Sequence, residues 1–208
     1  MTIISVKREN SRLDEVVTVE FSDEKTLRLD LGYLPDGAEF PALRETEREL
    51  IPSEEEAFRF AADCFRAEKI ALRLIARAEQ NCLGLSAKLA RRGFDSAVVK
   101  TVVSRLVERN FLDDSRFAEL WLRSRLRGNK AFCPQWLLVS LGKKGVDRDS
   151  SRKALEEVLD FDSEYALLIR YLGKAKDIPA MDRQAFQRTH LKHLGFSTAV
   201  LDRYFDLE

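Results

Sequence analysis

The heptapeptide LGKKGVD at residues 141–147 has two near-copies, LARRGFD at 89–95 and LKHLGFS at 191–197. In each, a leucine stands four residues before a glycine, an apolar residue follows the glycine, and Asp95, Asp147 or Ser197 comes next. The glycines Gly93, Gly145 and Gly195 are 52 and 50 residues apart. Glycine just past a helix end closes the helix in the left-handed conformation, and the apolar residue after it packs back on the last turn. A short oxygen-bearing side chain then caps the next helix. Each heptapeptide therefore reads as a turn joining two helices.

Working outward, the helices that follow carry apolar residues at equivalent offsets: Val99, Val102, Val103 and Leu106; Ala154, Leu155 and Val158; Leu201, Tyr204 and Phe205. A further helix precedes each pair, marked by Ile70-Ala71, Phe117-Ala118 and Tyr165-Ala166, which are 47 and 48 residues apart. Three helices per repeat and three repeats result, over 53–110, 111–160 and 161–208. The first helix opens with Ser53 and Glu56 in a capping-box pattern, and Phe58, Ala61, Ala62 and Phe65 mark its core face. Upstream, IISVKR (3–8), EVVTVEF (15–21) and TLRLDL (26–31) read as strands, with SDEK at 22–25 as a hairpin turn. Gly32, Pro35, Gly37 and Pro41 interrupt regular structure, and RETEREL at 44–50 is expected as a short helix before Pro52. The expected fold is mainly α: an elongated array of three tandem three-helix repeats with a small β-rich N-terminal module over 1–52.

Composition agrees with a helical, folded chain. Of 208 residues, 45% are hydrophobic and 34% charged, with nine glycines and five prolines; the charged share exceeds the globular average of about 25%. No apolar run approaches the roughly 20 residues of a membrane span, and MTIISVKREN lacks a signal-peptide core, so a cytoplasmic protein is expected. Cys64, Cys82 and Cys133 are isolated and read as packed, reduced thiols. The formal charge of zero conceals an asymmetry. Residues 1–56 hold 7 Lys+Arg against 15 Asp+Glu, a net of −8; residues 57–153 hold 21 against 10, a net of +11; residues 154–208 hold 7 against 10, a net of −3. A localised basic region attracts a polyanion or an acidic protein surface.

The stretch FLDDSRFAELWL at 111–122 places two adjacent aspartates between the first and second repeats. Capping is the expected role: one of Asp113 and Asp114 caps the helix that follows and the other sits near its N-terminal dipole. Metal or acid-base duty would need further carboxylates or histidines in register, and the sequence offers none. His190 and His193, three apart on a helix, have no thiol or carboxylate partner in the pattern. Phosphate-loop, GxSxG and HExxH motifs are missing, which argues against an enzyme.

With the Leu-x-x-x-Gly-Phe signal, the stretch NFLDDSRFAELWLRSRLRG at 110–128 resembles the RecX family, bacterial regulators of the RecA recombinase. The family's apolar-Asp-Asp-x-Arg-Phe-Ala run is matched by Leu112, Asp113, Asp114, Arg116, Phe117 and Ala118. The resemblance covers residues 55–208 well and the N-terminus loosely. It departs at Gln80-Asn81-Cys82-Leu83-Gly84-Leu85, where Arg-Ser-x-x-Glu-Leu is usual; Asn81 still caps, and Gly84 weakens the helix by about 1 kcal/mol relative to alanine. NKAFCPQW at 129–136 replaces a glycine-rich lead-in, and Ser140 stands where an acid is common. The resemblance implies a non-enzymatic monomer, without cofactor or membrane contact. It would bind RecA filaments on single-stranded DNA, with that DNA as a further contact, and lower ATP hydrolysis, strand exchange and filament extension.

The residues expected to meet the partner or DNA are Arg91, Arg92, Arg116, Arg123, Arg125, Arg127, Lys130, Lys143 and Lys144. On the first helix of the second repeat, Phe117, Leu120 and Trp121 are expected to form the buried stripe, with Arg116, Arg123 and Arg127 on another side. Like charges at i and i+4 are mildly destabilising, so Arg123 and Arg127 suggest a neutralising partner. Arg91-Arg92 and Lys143-Lys144 also suit helix C-termini by charge alone. Trp136 and Phe132 are assigned to the core in preference to stacking on bases. The alternatives left open are a stand-alone helical DNA-binding protein and a protein-protein scaffold.

Overall fold

The structure, a computed structural model, describes residues 2–10, 15–35, 43, 47, 49–174 and 183–206. Gly37, Pro41 and residues 44–46 and 48 of the expected short helix lie outside these. Within that stretch Glu47 has φ 66° and Glu49 bridges Thr2 in antiparallel fashion, so neither is helical. The strands are β1 (Ile3–Asn10), β2 (Glu15–Phe21) and β3 (Thr26–Asp30), in an antiparallel sheet of order β1-β2-β3, followed by a 3-10 turn at Leu31–Tyr33. The helices are α1 (Pro52–Ile75), α2 (Cys82–Ala90), α3 (Ser96–Glu108), α4 (Asp114–Leu126), α5 (Pro134–Lys143), α6 (Arg148–Val158), α7 (Phe161–Lys174), α8 (Arg183–His193) and α9 (Thr198–Asp206). The chain is mainly α with a small N-terminal β-module, as its periodicity requires. It divides into two compact units, residues 1–79 with 85–112 and residues 80–84 with 113–208.

In the first unit β2 buries Val17, Val19 and Phe21, and Phe21 meets Phe58 of α1 edge to face with centroids 6.2 Å apart. Both α3 and β3 pack on α1. The helix does not open on a Ser53–Glu56 box: Ile51 is its N-cap, Pro52 occupies the first turn, and Glu54 accepts the Ile51 N–H at 3.1 Å. Proline has no amide hydrogen to satisfy there, which suits a start two residues upstream of the expected one.

A buried ionic cluster joins the sheet to the helices. Arg105 of α3 pairs with Asp30, lies 3.9 Å from Glu68 of α1 and covers the Tyr33 ring at 4.3 Å. Arg109 reaches Glu68 at 3.7 Å. Asp30 and Glu68 are almost fully buried, and burial together with the Glu68 charge raises the Tyr33 hydroxyl above its ordinary pKa. Asp30 also accepts the Gly32 N–H at 2.9 Å. Gly32, which reads in sequence as a breaker, has a second use here. A Cβ on it would stand 3.0 Å from the Arg105 guanidinium.

In the second unit α4–α9 share one core, built on Leu122, Leu137, Leu141, Leu167, Leu168 and Phe196. Gly93, Gly145 and Gly195 all take positive φ, at 86°, 90° and 91°. The Val146 N–H reaches back to the Leu141 carbonyl and the Phe196 N–H to that of Leu191, both at 3.2 Å, and the leucine four residues ahead of the glycine is buried in the same core as the residue after it. Asn110, at φ 59°, makes a fourth such turn, with the Phe111 N–H 2.9 Å from the Leu106 carbonyl. Two of the turns are also sockets. A Cβ on Gly145 would fall 2.6 Å from Leu83, and one on Gly195 would fall 3.2 Å from Pro134. The carbonyl before each glycine accepts a hydrogen bond from the same side: Lys144 from the Asn81 side chain, Leu194 from the Gln135 N–H at 3.0 Å. The start of a second helix thus seats in the glycine turn one repeat ahead.

Asp113 caps α4, accepting from Ser115 and Arg116 at 2.8 and 3.0 Å. Asp114 serves a different helix, accepting the Cys82 N–H at the start of α2 at 2.8 Å. The expected advantage of alanine over Gly84 is opposed by packing, since a Cβ there would lie 2.5 Å from the Asn81 Oδ1 and displace that side chain. Ser197 donates its N–H and hydroxyl to Glu164 at 2.6 and 2.8 Å.

Removing one partner of a buried pair leaves the other charge uncompensated, so Asp30→Ala is expected to cost about 3–5 kcal/mol in urea unfolding. Gly93→Ala should cost about 1–2 kcal/mol for the left-handed backbone alone. Gly145→Ala should cost about 1–3 kcal/mol beyond that, because Leu83 has to move. Equal losses for the two glycine variants would show that the Leu83 contact carries no stability.

Candidate nucleic-acid interface

The C-terminal half of α4, the connection at 127–133 and the start of α5 form one surface of the second unit. Trp136 stacks on Phe132 with centroids 4.4 Å apart and planes at 16°, and on Trp121 at 6.4 Å and 23°. The Arg125 guanidinium stands 5.0 Å from the Trp121 ring and the Lys144 ammonium 5.7 Å from it. Trp136 is 44% exposed, which corrects its assignment to the core. The reason is angular: α5 buries Pro134, Leu137 and Leu141, and Trp136 lies about 100° away from Leu137 on the helix. On α4 the buried positions are Ala118 and Leu122, with Phe117 and Trp121 half-buried, while Leu120 of the expected stripe is exposed.

The nine expected cations fall on both units. Arg91 and Arg92 belong to the first, beside Gly93, and Arg92 donates to the Lys88 carbonyl at 2.8 Å, a helix-end contact. The other seven belong to the second. Arg125 and Lys144 reach the ring stack; Arg123 is exposed and 4.0 Å from Glu119; Arg127 is the exposed C-cap residue of α4. Lys130 and Lys143 are exposed, and Arg116 is half-buried in the first turn of α4.

The surface offers features that single-stranded nucleic acid uses, exposed aromatic surface with cations around it. Its indoles are held by one another and by cations, so the platform exists before any ligand arrives. Nucleophilic chemistry finds no support in the thiols: burial pushes Cys64 up to about 12, and burial with the neighbouring Asp114 pushes Cys82 up to about 11. Both remain protonated at neutral pH. Among the described residues no helix is long and apolar enough to cross a membrane, and no group of three His, Cys, Asp or Glu converges on a point where a metal would sit.

A second basic region was missed in the sequence. Arg59, Arg66 and Arg73 repeat every seven residues along the exposed side of α1, with Lys69 among them and Arg28 of β3 nearby. The seven-residue spacing was its only signal, and attention to cations at helix C-termini passes over it.

Known proteins share this fold. The chain is 38% identical over 117 residues to "Regulatory protein RecX" of Treponema pallidum (strain Nichols), covering 56% of this chain and 71% of the relative. It is 30% identical over 144 residues to the protein of the same name from Syntrophotalea carbinolica, covering 66% and 93%. A crystal structure of regulatory protein RecX superposes with a TM-score of 0.68 at 15% identity, covering 99% of this chain and 98% of the other. RecX from Lactobacillus salivarius gives 0.55 at 19% identity, covering 71% and 99%. No family model matches the chain. The relatives and the tandem three-helix sets define a helical regulatory protein. The chain belongs to the RecX family.

If the stack is a surface feature, Trp136→Ala should lower the unfolding free energy by no more than about 1.5 kcal/mol. Leu137→Ala, one residue along and fully buried, should cost about 2–5 kcal/mol in the same urea titration.

Proposed function

We propose that the chain is a non-enzymatic cytoplasmic regulator of recombination that binds RecA filaments on single-stranded DNA and lowers their ATP hydrolysis, strand exchange and extension. The observation that carries this reading beyond family membership is the preformed stack of Phe132, Trp136 and Trp121 with Arg125 and Lys144 on its flank. Stacking supplies affinity for unpaired bases, and the exposed Arg123, Arg127, Lys130 and Lys143 add attraction to phosphates. Residues 111–160 are then the repeat that meets the DNA, as a monomer, while the basic α1 face and Arg91-Arg92 meet acidic surfaces. Occupying the strand inside the filament would oppose its extension and its access to duplex.

The test adds the purified protein to RecA filaments on single-stranded DNA, well below stoichiometric amounts, and follows ATP hydrolysis and strand exchange. A progressive fall in both is expected. Arg123→Glu with Arg127→Glu should leave the circular dichroism spectrum intact, weaken filament binding, and reduce the salt slope of binding by about one per residue removed from phosphate. Normal recombinase activity, together with tight and salt-steep binding of the protein to naked DNA, would replace this reading with a stand-alone DNA-binding protein.

A further inference from the structure

The glycine turns at Gly145 and Gly195 are filled by Leu83 and Pro134, whereas a Cβ on Gly93 would meet nothing within 4 Å among the described residues. The first repeat's turn is the same motif with its socket open. Beside it, α1 and the turn enclose a cleft of about 500 Å³ in the first unit, lined by Arg66, Lys69, Arg73 and Arg92 over a floor of Ile70 and Phe94. Among the described residues no carboxylate lines it.

The walls determine what fits. At the filled turn of the second repeat, the seated helix start finds the carboxylate of Asp114, which accepts the Cys82 N–H and suits the positive end of a helix. The open cleft presents four cations instead, of which Arg66 is partly offset by Asp63 at 2.7 Å and Arg92 also donates to the Lys88 carbonyl at 2.8 Å, and their excess repels a bare helix N-terminus and selects carboxylates or phosphates. The floor separates these two. The Arg66 guanidinium stands 5.7 Å from the Phe94 ring centroid and competes with a base for that single ring, while Ile70 and Phe94 together form an apolar floor that suits an aliphatic side chain. We propose that this cleft docks an acidic protein segment that places one aliphatic side chain against Ile70 and Phe94 and its carboxylates on Arg66, Lys69, Arg73 and Arg92. The proposal deepens the reading that the basic α1 face and Arg92 meet an acidic surface, and it is independent of the ring stack in the second unit.

Fluorescence anisotropy of the full chain with a labelled 12-residue peptide alternating glutamate and leucine tests it, against the glutamate-serine peptide and a 12-nucleotide oligothymidylate. Lys69 and Arg73 are exposed, so Lys69→Glu with Arg73→Glu is expected to keep the wild-type melting profile. The glutamate-leucine peptide should bind, should bind more tightly than the serine form, and should lose at least tenfold in affinity in this variant and nothing in Lys143→Glu. Lys69→Gln with Arg73→Gln should give a smaller loss. No peptide binding, equal affinity for the two peptides, or a variant that weakens oligothymidylate and leaves the peptide unaffected would overturn the proposal. Each of these outcomes leaves the filament reading standing, since no recombinase is present.

Discussion

The left-handed turn after the second helix of each repeat is the constraint on which the rest of the structure depends. It reverses the chain, returns Val146 and Phe196 to the core and half-buries Phe94, and presents the next residue as a cap. Glycine at 145 and 195 meets two demands at once, a backbone conformation that costs an L-residue about 1–2 kcal/mol and a space already filled by Leu83 or Pro134. At Gly93, among the described residues, only the first demand applies. One motif therefore acts as a joint where another helix start covers it and as an open socket where none does.

The β-module depends on a different force. A small sheet gains its stability from a hydrophobic face or from packing on a helix, and here Asp30, Glu68, Arg105 and Tyr33 also tie it to α1 and α3. Buried charges gain little net energy over an apolar core, but they tolerate few arrangements, so the cluster specifies how sheet and helices meet. The close approach of Arg105 to Gly32 explains a glycine that would otherwise read as punctuation.

The ring stack and the basic face of α1 show two ways of displaying charge. Around Trp121 the cations lie on aromatic faces, where the ring quadrupole holds them and leaves Trp136 accessible. Along α1 the arginines are partly offset by Glu55 and Asp63, at 3.4 and 2.7 Å, and the positive excess gathers toward Arg73 and Gly93.

What the sequence determined by itself is local: the repeat period, the strands and hairpin, the glycine turns, and the caps Asp95, Asp113 and Asp147, whose partners lie two or three residues away. Asn110 escaped because asparagine reaches the left-handed region less conspicuously than glycine. Tertiary structure alone decided that Asp114 serves a helix start 32 residues back, that the Asn81 side chain meets Lys144 63 residues on, and that Trp136 faces solvent. The physical reason is range. A cap or turn is settled by backbone geometry over five or six residues, whereas which turn is covered, which ring is exposed and where cations converge depends on how apolar faces pack together.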